Sequence, residues 1–258
     1  MKTLKEIYDY REMIRSLVKK DLRSRYKGSA LGFLWTFLNP LLQLMVYTLV
    51  FSVIMRSGIE KYYIFLFVAL IPWIFFATSL SAGSSCIIAQ KDLVKKIYFP
   101  RQVLPIAHVT TCFVNMLLTF VVVFGAVAVA GIGINPVAIC YLPIIMFVEY
   151  LLALGFALLT SALTVYFRDL EYILGIITMA WQFLTPIMYS IEMVPENIQR
   201  IFYLNPMTSI IVAYRDILYY KQVPEVSTLL SALILGVVVL AIGCVVFDKL
   251  QKHFAEEL

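Results

Sequence analysis

The chain has 258 residues, of which 62% are hydrophobic and only 14% are charged, and its formal net charge is +5. Soluble domains are about 45–50% apolar and about 25% charged, so this composition excludes an ordinary soluble fold, a disordered chain and a disulfide-rich secreted module. We therefore predict an all-α integral membrane protein, folded as a single transmembrane domain over residues 1–258.

The first 32 residues carry nine Lys and Arg side chains. Between Leu4 and Leu22, apolar residues recur at helical spacing with basic residues between them. This pattern is typical of an amphipathic helix in the membrane interface, with its basic face toward anionic lipid headgroups. We predict such an interface helix within residues 1–32, on the cytoplasmic side. A simple charged anchor that sets the topology is the alternative, and the two interpretations are compatible.

Long uncharged runs follow this tail, and a helix needs about 20 apolar residues to cross the hydrocarbon core. The run from Gln102 to Val148 is too long for one crossing, and the Gly131–Pro136 segment divides it. The runs predict six transmembrane helices, at residues 33–55, 62–86, 103–130, 137–167, 172–191 and 226–247. Because six crossings return the chain to its starting side, both termini lie on one side of the membrane.

The distribution of Lys and Arg determines which side that is. Sixteen of the 21 basic residues fall in the two terminal tails and in the connections on the same side, and five fall on the other side. Cytoplasmic loops carry the excess of Lys and Arg. Both termini are therefore predicted to be cytoplasmic.

Two connecting segments are too apolar to be simple loops. The cytoplasmic connection Gln90–Arg101 mixes charge with exposed apolar and aromatic residues, which favours docking to another protein; packing against the chain's own helices is the alternative. The outer segment 192–225 is broken by Pro195 and by Asn205-Pro206. We predict two re-entrant half-helices here that cap a pathway, because irregular backbone at membrane depth must be buried or line water. The alternative is an amphipathic pair lying on the surface.

Two predicted spans carry polar and aromatic side chains along one helical face. These residues are Trp35, Asn39, Gln43 and Tyr47 in the first span, and Thr178, Trp181, Gln182, Thr185 and Tyr189 in the fifth. Polar groups in a membrane are costly unless they meet each other or a cavity. The pattern therefore predicts either the lining of a passage suited to sugar rings, or hydrogen bonds between helices, and spacing does not choose between them.

Other chemistry is sparse in the sequence. Glu149 is the one charged residue well inside a predicted span, and we interpret it as a protonated or hydrogen-bonded packing residue. The four cysteines and two histidines have no ligand spacing, so no metal site is predicted. No nucleotide-binding, zinc-protease or serine-nucleophile motif is present in the sequence. Energy for any transport must therefore come from a partner or from an ion gradient.

Five short motifs, in order along nearly the whole chain, resemble the permease subunit of type-2 ABC exporters for cell-surface polysaccharides. That family exports lipid-linked O-antigen, capsular or rhamnose-type glycans and teichoic acids. The motifs are Arg25–Trp35 running into Asn39-Pro40, Pro100–Pro105, Phe167–Glu171, Thr185–Tyr189 and Leu204–Met207.

The resemblance implies a homodimer in the bacterial inner membrane, bound to two cytoplasmic ABC ATPase subunits that hold ATP and Mg, with no cofactor in this chain. The distribution of the basic residues is explained by membrane orientation, so no nucleic-acid partner is predicted. It implies that spans one and five of both protomers enclose a channel for the lipid-linked polysaccharide. The implied ATPase-coupling residues are Lys91, Asp92, Leu93, Lys95, Lys96, Ile97, Tyr98, Phe99 and Arg101. The implied outer gate contains Asn205, Pro206 and Tyr214, and Arg23, Arg25 and Lys27 would meet the pyrophosphate of a polyprenyl carrier.

Two other classes of function stay open at this point. A membrane enzyme of the polyprenyl-glycan pathway would need a polar cluster at a membrane face, and only Arg168, Asp169 and Glu171 come close. An ion-coupled carrier would need partners for Glu149, and the sequence indicates none.

Overall fold

The computed structural model describes residues 2–24, 29, 31–56 and 58–258, and every regular element within these ranges is helical. The all-α prediction is confirmed for this part of the chain. The first seven helices are α1 (Lys2–Asp9), α2 (Arg11–Ser24), α3 (Trp35–Thr48), α4 (Tyr62–Ser84), α5 (Cys86–Ala89), α6 (Lys91–Lys96) and α7 (Val103–Val129). The remaining seven are α8 (Pro136–Ile139), α9 (Leu142–Tyr166), α10 (Leu170–Phe183), α11 (Glu196–Phe202), α12 (Pro206–Arg215), α13 (Val226–Leu250) and α14 (Phe254–Glu257).

Five helical stretches of the described chain are long and apolar enough to cross a membrane. They are Gly32–Ile54, Tyr62–Ser84, Val103–Val129, Pro136–Tyr166 and Val226–His253. The first consists of α3, a 3₁₀ turn before it and a π-helical turn after it. The third and fourth stretches are separated where the sequence predicted a break, by a turn in which Gly131 and Gly133 adopt positive φ angles of 64° and 80°. Positive φ is accessible to glycine at little cost.

The predicted fifth span, residues 172–191, is only partly helical. Helix α10 has 14 residues, which corresponds to about 21 Å at the usual rise per residue, less than the roughly 30 Å hydrocarbon core. From Leu184 to Ser190 the chain continues in turns. Proline is unfavourable in a helix interior because it lacks an amide hydrogen, and Pro186 lies three residues after Phe183, the last residue of α10. Helix length alone therefore supports five spans rather than six.

Helix α4 lies at the centre of the protein. Seventeen of its 23 residues are buried, including Phe65, Phe67 and Phe76, and a helix that is apolar on every side is typical of such a buried position. Helices α3, α7, α9, α10 and α12 all contact it.

Helix α9 packs most extensively against α13. Two glycines, Gly155 and Gly243, make this approach possible. A Cβ atom added to Gly155 would lie 2.6 Å from the backbone N of Leu240. A Cβ atom added to Gly243 would lie 2.3 Å from the carbonyl O of Gly155. Both distances are far below ordinary van der Waals contact. The two backbones therefore meet directly at this crossing.

The peripheral helices leave apolar faces uncovered. Only Thr36 and Pro40 are buried in α3, and α10 buries only Leu174 and Thr178. Large apolar side chains such as Met45 on α3 are exposed. In a membrane protein, such faces are available to lipid or to another helix.

A second, smaller core lies at the end of the bundle that holds the N-terminal helices. Its buried residues include Ile87, Val94, Phe99, Phe247 and Phe254, and apolar residues of α2 pack against it. The predicted interface helix is two helices, α1 and α2, joined at Tyr10. Part of the apolar face of α2 therefore packs against the protein itself, while its placement in a membrane interface stays a prediction.

Candidate functional site

The two polar faces predicted from spacing meet at one point in the structure. The side-chain nitrogen of Gln182 in α10 lies 3.3 Å from the hydroxyl O of Tyr47 in α3 and donates to it. Gln43 and Asn39 are exposed on α3. Trp35 is partly exposed, and its indole N–H donates to the hydroxyl of Ser29 at 3.1 Å. The polar face of α3 is therefore open along most of its length.

The other predicted lining residues of the fifth span are used largely inside the protein. The hydroxyl of Thr178 is buried and donates to the carbonyl of Leu174 at 2.6 Å. The Tyr189 hydroxyl donates to the carbonyl of Phe183 at 2.8 Å. The ring of Trp181 packs edge-on against Phe76, with ring centroids 5.1 Å apart. Hydrogen bonds within the chain thus account for much of this polar face.

Asn205 connects the end of α10 to the outer segment. Its side-chain oxygen accepts from the indole N–H of Trp181 at 2.9 Å and from the backbone N–H of Met207 at 3.0 Å, which caps α12. Its side-chain nitrogen donates to the Thr185 hydroxyl at 2.9 Å. Asn is a preferred N-cap residue and Pro a preferred first helical residue, so the Asn205-Pro206 pair both starts α12 and fixes it to the preceding segment.

The predicted pair of outer helices is α11 and α12, and α12 lies mostly in the core. Tyr214, predicted to belong to an outer gate, is completely buried rather than exposed at the outer surface. Its hydroxyl donates to the carboxyl group of Glu149 in α9 at 2.7 Å. The structure thus supplies a hydrogen-bond partner for Glu149, which the sequence did not indicate. The second carboxyl oxygen of Glu149 is buried without a partner in the described part of the chain.

Arg215, at the end of α12, is a functional candidate that the sequence did not indicate. Its side chain is only 3% exposed. One terminal nitrogen donates to the carbonyls of Pro186 at 2.5 Å and Tyr189 at 3.0 Å, and the other donates to the carbonyl of Ile187 at 2.5 Å. The guanidinium carbon lies 3.5 Å from the ring centroid of Phe65 in α4. Arg215 therefore joins the outer segment to the turns that follow α10.

The predicted coupling segment has one buried and one exposed side. Val94 and Phe99 are buried in the small core, so Phe99 anchors the segment instead of presenting its ring for docking. Tyr98 is 93% exposed, and its backbone carbonyl accepts from the Tyr10 hydroxyl at 3.3 Å. The other exposed residues of the segment are Lys91, Asp92, Lys95, Lys96 and Ile97, and Leu93 is half-buried.

The basic residues proposed to meet a carrier or a partner have different surroundings. Arg101 donates to the backbone carbonyl of Gln251 and lies over the ring of Phe254, 5.7 Å from its centroid, so it holds the C-terminal end of the chain in place. Arg23 is exposed at the end of α2. Arg25 and Lys27 lie outside the described residues.

Comparison with known proteins supplies the family. Residues 12–219 match the model of the ABC-2 type transporter family. The chain is 35% identical to the O-antigen export system permease protein RfbA of Myxococcus xanthus, over the whole of both chains, and 33% identical to RfbA of Klebsiella pneumoniae, over 96% of this chain and 95% of that protein. It is 21% identical to the capsule polysaccharide export inner-membrane protein CtrC of Neisseria meningitidis serogroup A, over 96% of this chain and 95% of that protein. The chain therefore belongs to the ABC-2 type transporter family, as a membrane permease subunit.

Proposed function

We propose that this chain is the permease of an exporter that moves a lipid-linked polysaccharide of the O-antigen kind across the bacterial inner membrane, with ATP hydrolysed by a partner subunit. The observation that carries the proposal is the end-to-end relationship to the M. xanthus O-antigen export permease, at 35% identity. The sequence has no nucleotide-binding motif of its own, which fits a permease driven by a separate ATPase.

The assembly proposed is two copies of this chain with two ABC ATPase subunits. The exposed faces of α3 and α10 support it, because a second protomer would cover them and enclose a passage between the two copies. In this arrangement α10 and the turns that follow it make the sixth crossing, and both termini are cytoplasmic. The excess of basic residues on the side of the termini supports this orientation.

The docking surface proposed for the ATPase is the exposed side of residues 91–98. Burial of Val94 and Phe99 holds the segment against the small core and leaves Tyr98, Lys95 and Lys96 on its outer side. An exposed aromatic ring beside two exposed lysines is well suited to a partner that carries complementary acidic and apolar groups. Movement of the ATPase would reach the bundle through the buried anchors.

The path proposed for the glycan runs along the open polar face of α3 toward the outer segment. Trp35, Asn39 and Gln43 offer an aromatic ring and two amides to sugar hydroxyls, and Gln182 extends this surface on α10. Arg23, Arg25 and Lys27 would meet the carrier pyrophosphate at the cytoplasmic entrance. At the outer end, opening would require α12 and the Asn205-Pro206 turn to move relative to α10.

Depletion of the gene tests the proposal. We expect the surface polysaccharide to disappear and its carrier-linked form to accumulate in the cytoplasm, and an ABC ATPase to co-purify with the tagged permease. A partner ATPase that cannot hydrolyse ATP is the matched control and should give the same accumulation. Polysaccharide that still reaches the surface, with no ATPase in the purified sample, would refute the proposal.

Charge reversal tests the docking surface separately. In a Lys95→Glu/Lys96→Glu variant we expect less ATPase to co-purify, because both residues are exposed on the proposed surface and reversal of interface charges weakens association. Arg200→Glu, at an exposed position on α11 that is predicted to lie outside, serves as the control. Equal recovery of the ATPase from both variants would place its docking surface elsewhere.

A further inference from the structure

A cavity of about 430 Å³ lies between α3, α4 and α7. Its volume falls within the roughly 300–1,000 Å³ that is usual for small-ligand sites. The polar and aromatic residues that line it include Trp35, Thr36, Asn39, Thr78, Asn115 and Thr119. Trp35 and Asn39 come from the first turns of α3, so the cavity joins the open polar face described above to the interior of a single protomer.

Asn115 is the feature of this cavity that points to a ligand. Both polar atoms of its side chain are buried, and neither has a hydrogen-bond partner among the described residues. Asn115 lies 12 residues after the first residue of α7, about 18 Å along the helix axis and so near the middle of a helix that is long and apolar enough to cross a membrane. Leaving a buried polar group without a partner costs about 1–3 kcal/mol, and a polar side chain inside a membrane-spanning bundle usually faces the bundle interior or a cavity.

The composition of the wall restricts the chemical class of the ligand. None of the described lining residues is charged, so a phosphate or carboxylate would be buried there without a counter-charge, at a high cost in desolvation. A hydrocarbon chain would leave the Asn115 amide unsatisfied. An uncharged polyhydroxy compound would meet the amides and hydroxyls with hydrogen bonds and the indole and phenyl rings with its apolar faces.

We propose that this cavity binds one uncharged sugar residue of the transported glycan, with the amide of Asn115 bound to the sugar hydroxyls. The inference rests on the proposed function and assigns a site within one protomer, in addition to any passage between two copies. The indole of Trp35, held by its hydrogen bond to Ser29, forms the entrance wall. Asn115 thereby selects hydroxyl-rich neutral units over the lipid that surrounds the bundle.

Cys112 provides a built-in reporter, because it lines the cavity and is only 4% exposed. The experiment uses the assembled permease–ATPase complex with Cys86, Cys140 and Cys244 replaced by Ala, and follows alkylation of Cys112 by N-ethylmaleimide with mass spectrometry. The probes are glucose, galactose and mannose, with glucose 6-phosphate and glucuronate as charged comparisons and a polyprenol as the hydrocarbon comparison. At about ten times the dissociation constant, a bound sugar should slow alkylation about tenfold.

Substitution of Asn115 tests its role. Asn115→Leu keeps the approximate size and removes the amide, so we expect at least about tenfold weaker binding, which corresponds to about 1.4 kcal/mol, and protection that falls to about twofold. Thr111→Val is the matched control, because Thr111 is also a buried polar residue of α7 but lies outside the cavity and donates to the carbonyl of Ala107. Thr78→Val is a second test variant on the α4 wall, in case Asn115→Leu does not fold.

Three results would overturn the inference: no protection by any neutral sugar, equal protection by the charged sugars, or full protection in both Asn115→Leu and Thr78→Val. Protection by the polyprenol alone would likewise overturn it and assign the cavity to a lipid tail. The assay reads binding in the purified complex, whereas the depletion experiment reads export in cells. A failure of the sugar site is thus distinguishable from a failure of the proposed function.

Discussion

Replacing Arg215 with Met should release the outer segment from the end of α10. The substitution keeps an apolar stem and removes the donors to the carbonyls of Pro186, Ile187 and Tyr189. Each carbonyl left without a donor costs about 1–3 kcal/mol. Water can reach some of the freed carbonyls after local opening, so we take the lower part of that range for each of the three carbonyls. The free energy that holds the outer segment in place should therefore fall by about 3–5 kcal/mol in total.

This loss can be measured by hydrogen exchange with mass spectrometry on the permease in lipid nanodiscs. A free-energy change of about 3–5 kcal/mol corresponds to local opening that is about one hundred to a few thousand times more frequent. Faster exchange should therefore be confined to peptides that cover residues 187–190 and 207–220, because local opening involves contiguous units. The bundle around α4 should exchange as before.

Two variants sharpen this experiment. Arg200→Met removes an exposed guanidinium from α11 and should leave exchange unchanged. Arg215→Lys keeps the charge but has no planar fork of donors to serve three carbonyls, so it should fall between the wild type and Arg215→Met. Unchanged exchange in Arg215→Met would refute the conclusion that this side chain holds the outer segment in place.

Three further predictions concern packing, the buried carboxyl group and docking. Gly243→Ala should reduce thermal stability in detergent by about 1–3 kcal/mol or more, as expected for overpacking. Gly175→Ala is the control and should be neutral, because the space around its Cβ position is open. Equal melting temperatures of the two variants would contradict the close approach of the two backbones. Tyr214→Phe should destabilise the protein by about 1–3 kcal/mol, because the Glu149 carboxyl group loses its hydrogen-bond donor. Glu149→Gln should have a smaller effect, because its side-chain oxygen still accepts that bond. A larger loss of thermal stability in Glu149→Gln than in Tyr214→Phe would argue against this pairing. Tyr98→Ala should lower recovery of the ATPase without changing permease stability, since Tyr98 is 93% exposed, and unchanged recovery would remove it from the docking surface.

Much of the architecture could be predicted because hydropathy and charge act locally. The break between α7 and α8 lies where the glycines and Asn135-Pro136 predicted it, because positive φ angles and an Asn cap are encoded within a few residues. The membrane class follows from composition in the same way. The early end of α10 could not be predicted from the sequence, because an uncharged run gives only the length of an apolar segment. The turns after Phe183 depend on contacts with Asn205 and Arg215, which lie farther along the chain.

The candidate site was predictable only in part. Spacing indicated the polar face of α3 but left open whether that face is exposed or hydrogen-bonded to other helices. The hydrogen bonds that hold Trp181 and Thr185 inside the protein come from Asn205, which lies 24 and 20 residues away. Phe99 resembles other exposed loop aromatics in the sequence, and its burial became visible only with the small core in place.

By itself, the sequence determined the membrane class, the family and the ends of most long helices, since each of these depends on residue type within a short window. The tertiary structure alone decided the surroundings of three polar side chains, Glu149, Arg215 and Asn115. Two of these polar groups find their partners across large sequence separations, Glu149 with Tyr214 and Arg215 with the turns after α10. The third, Asn115, finds none among the described residues. Burial of a polar side chain is costly unless a partner is supplied, and only the packed bundle determines which partner is within reach.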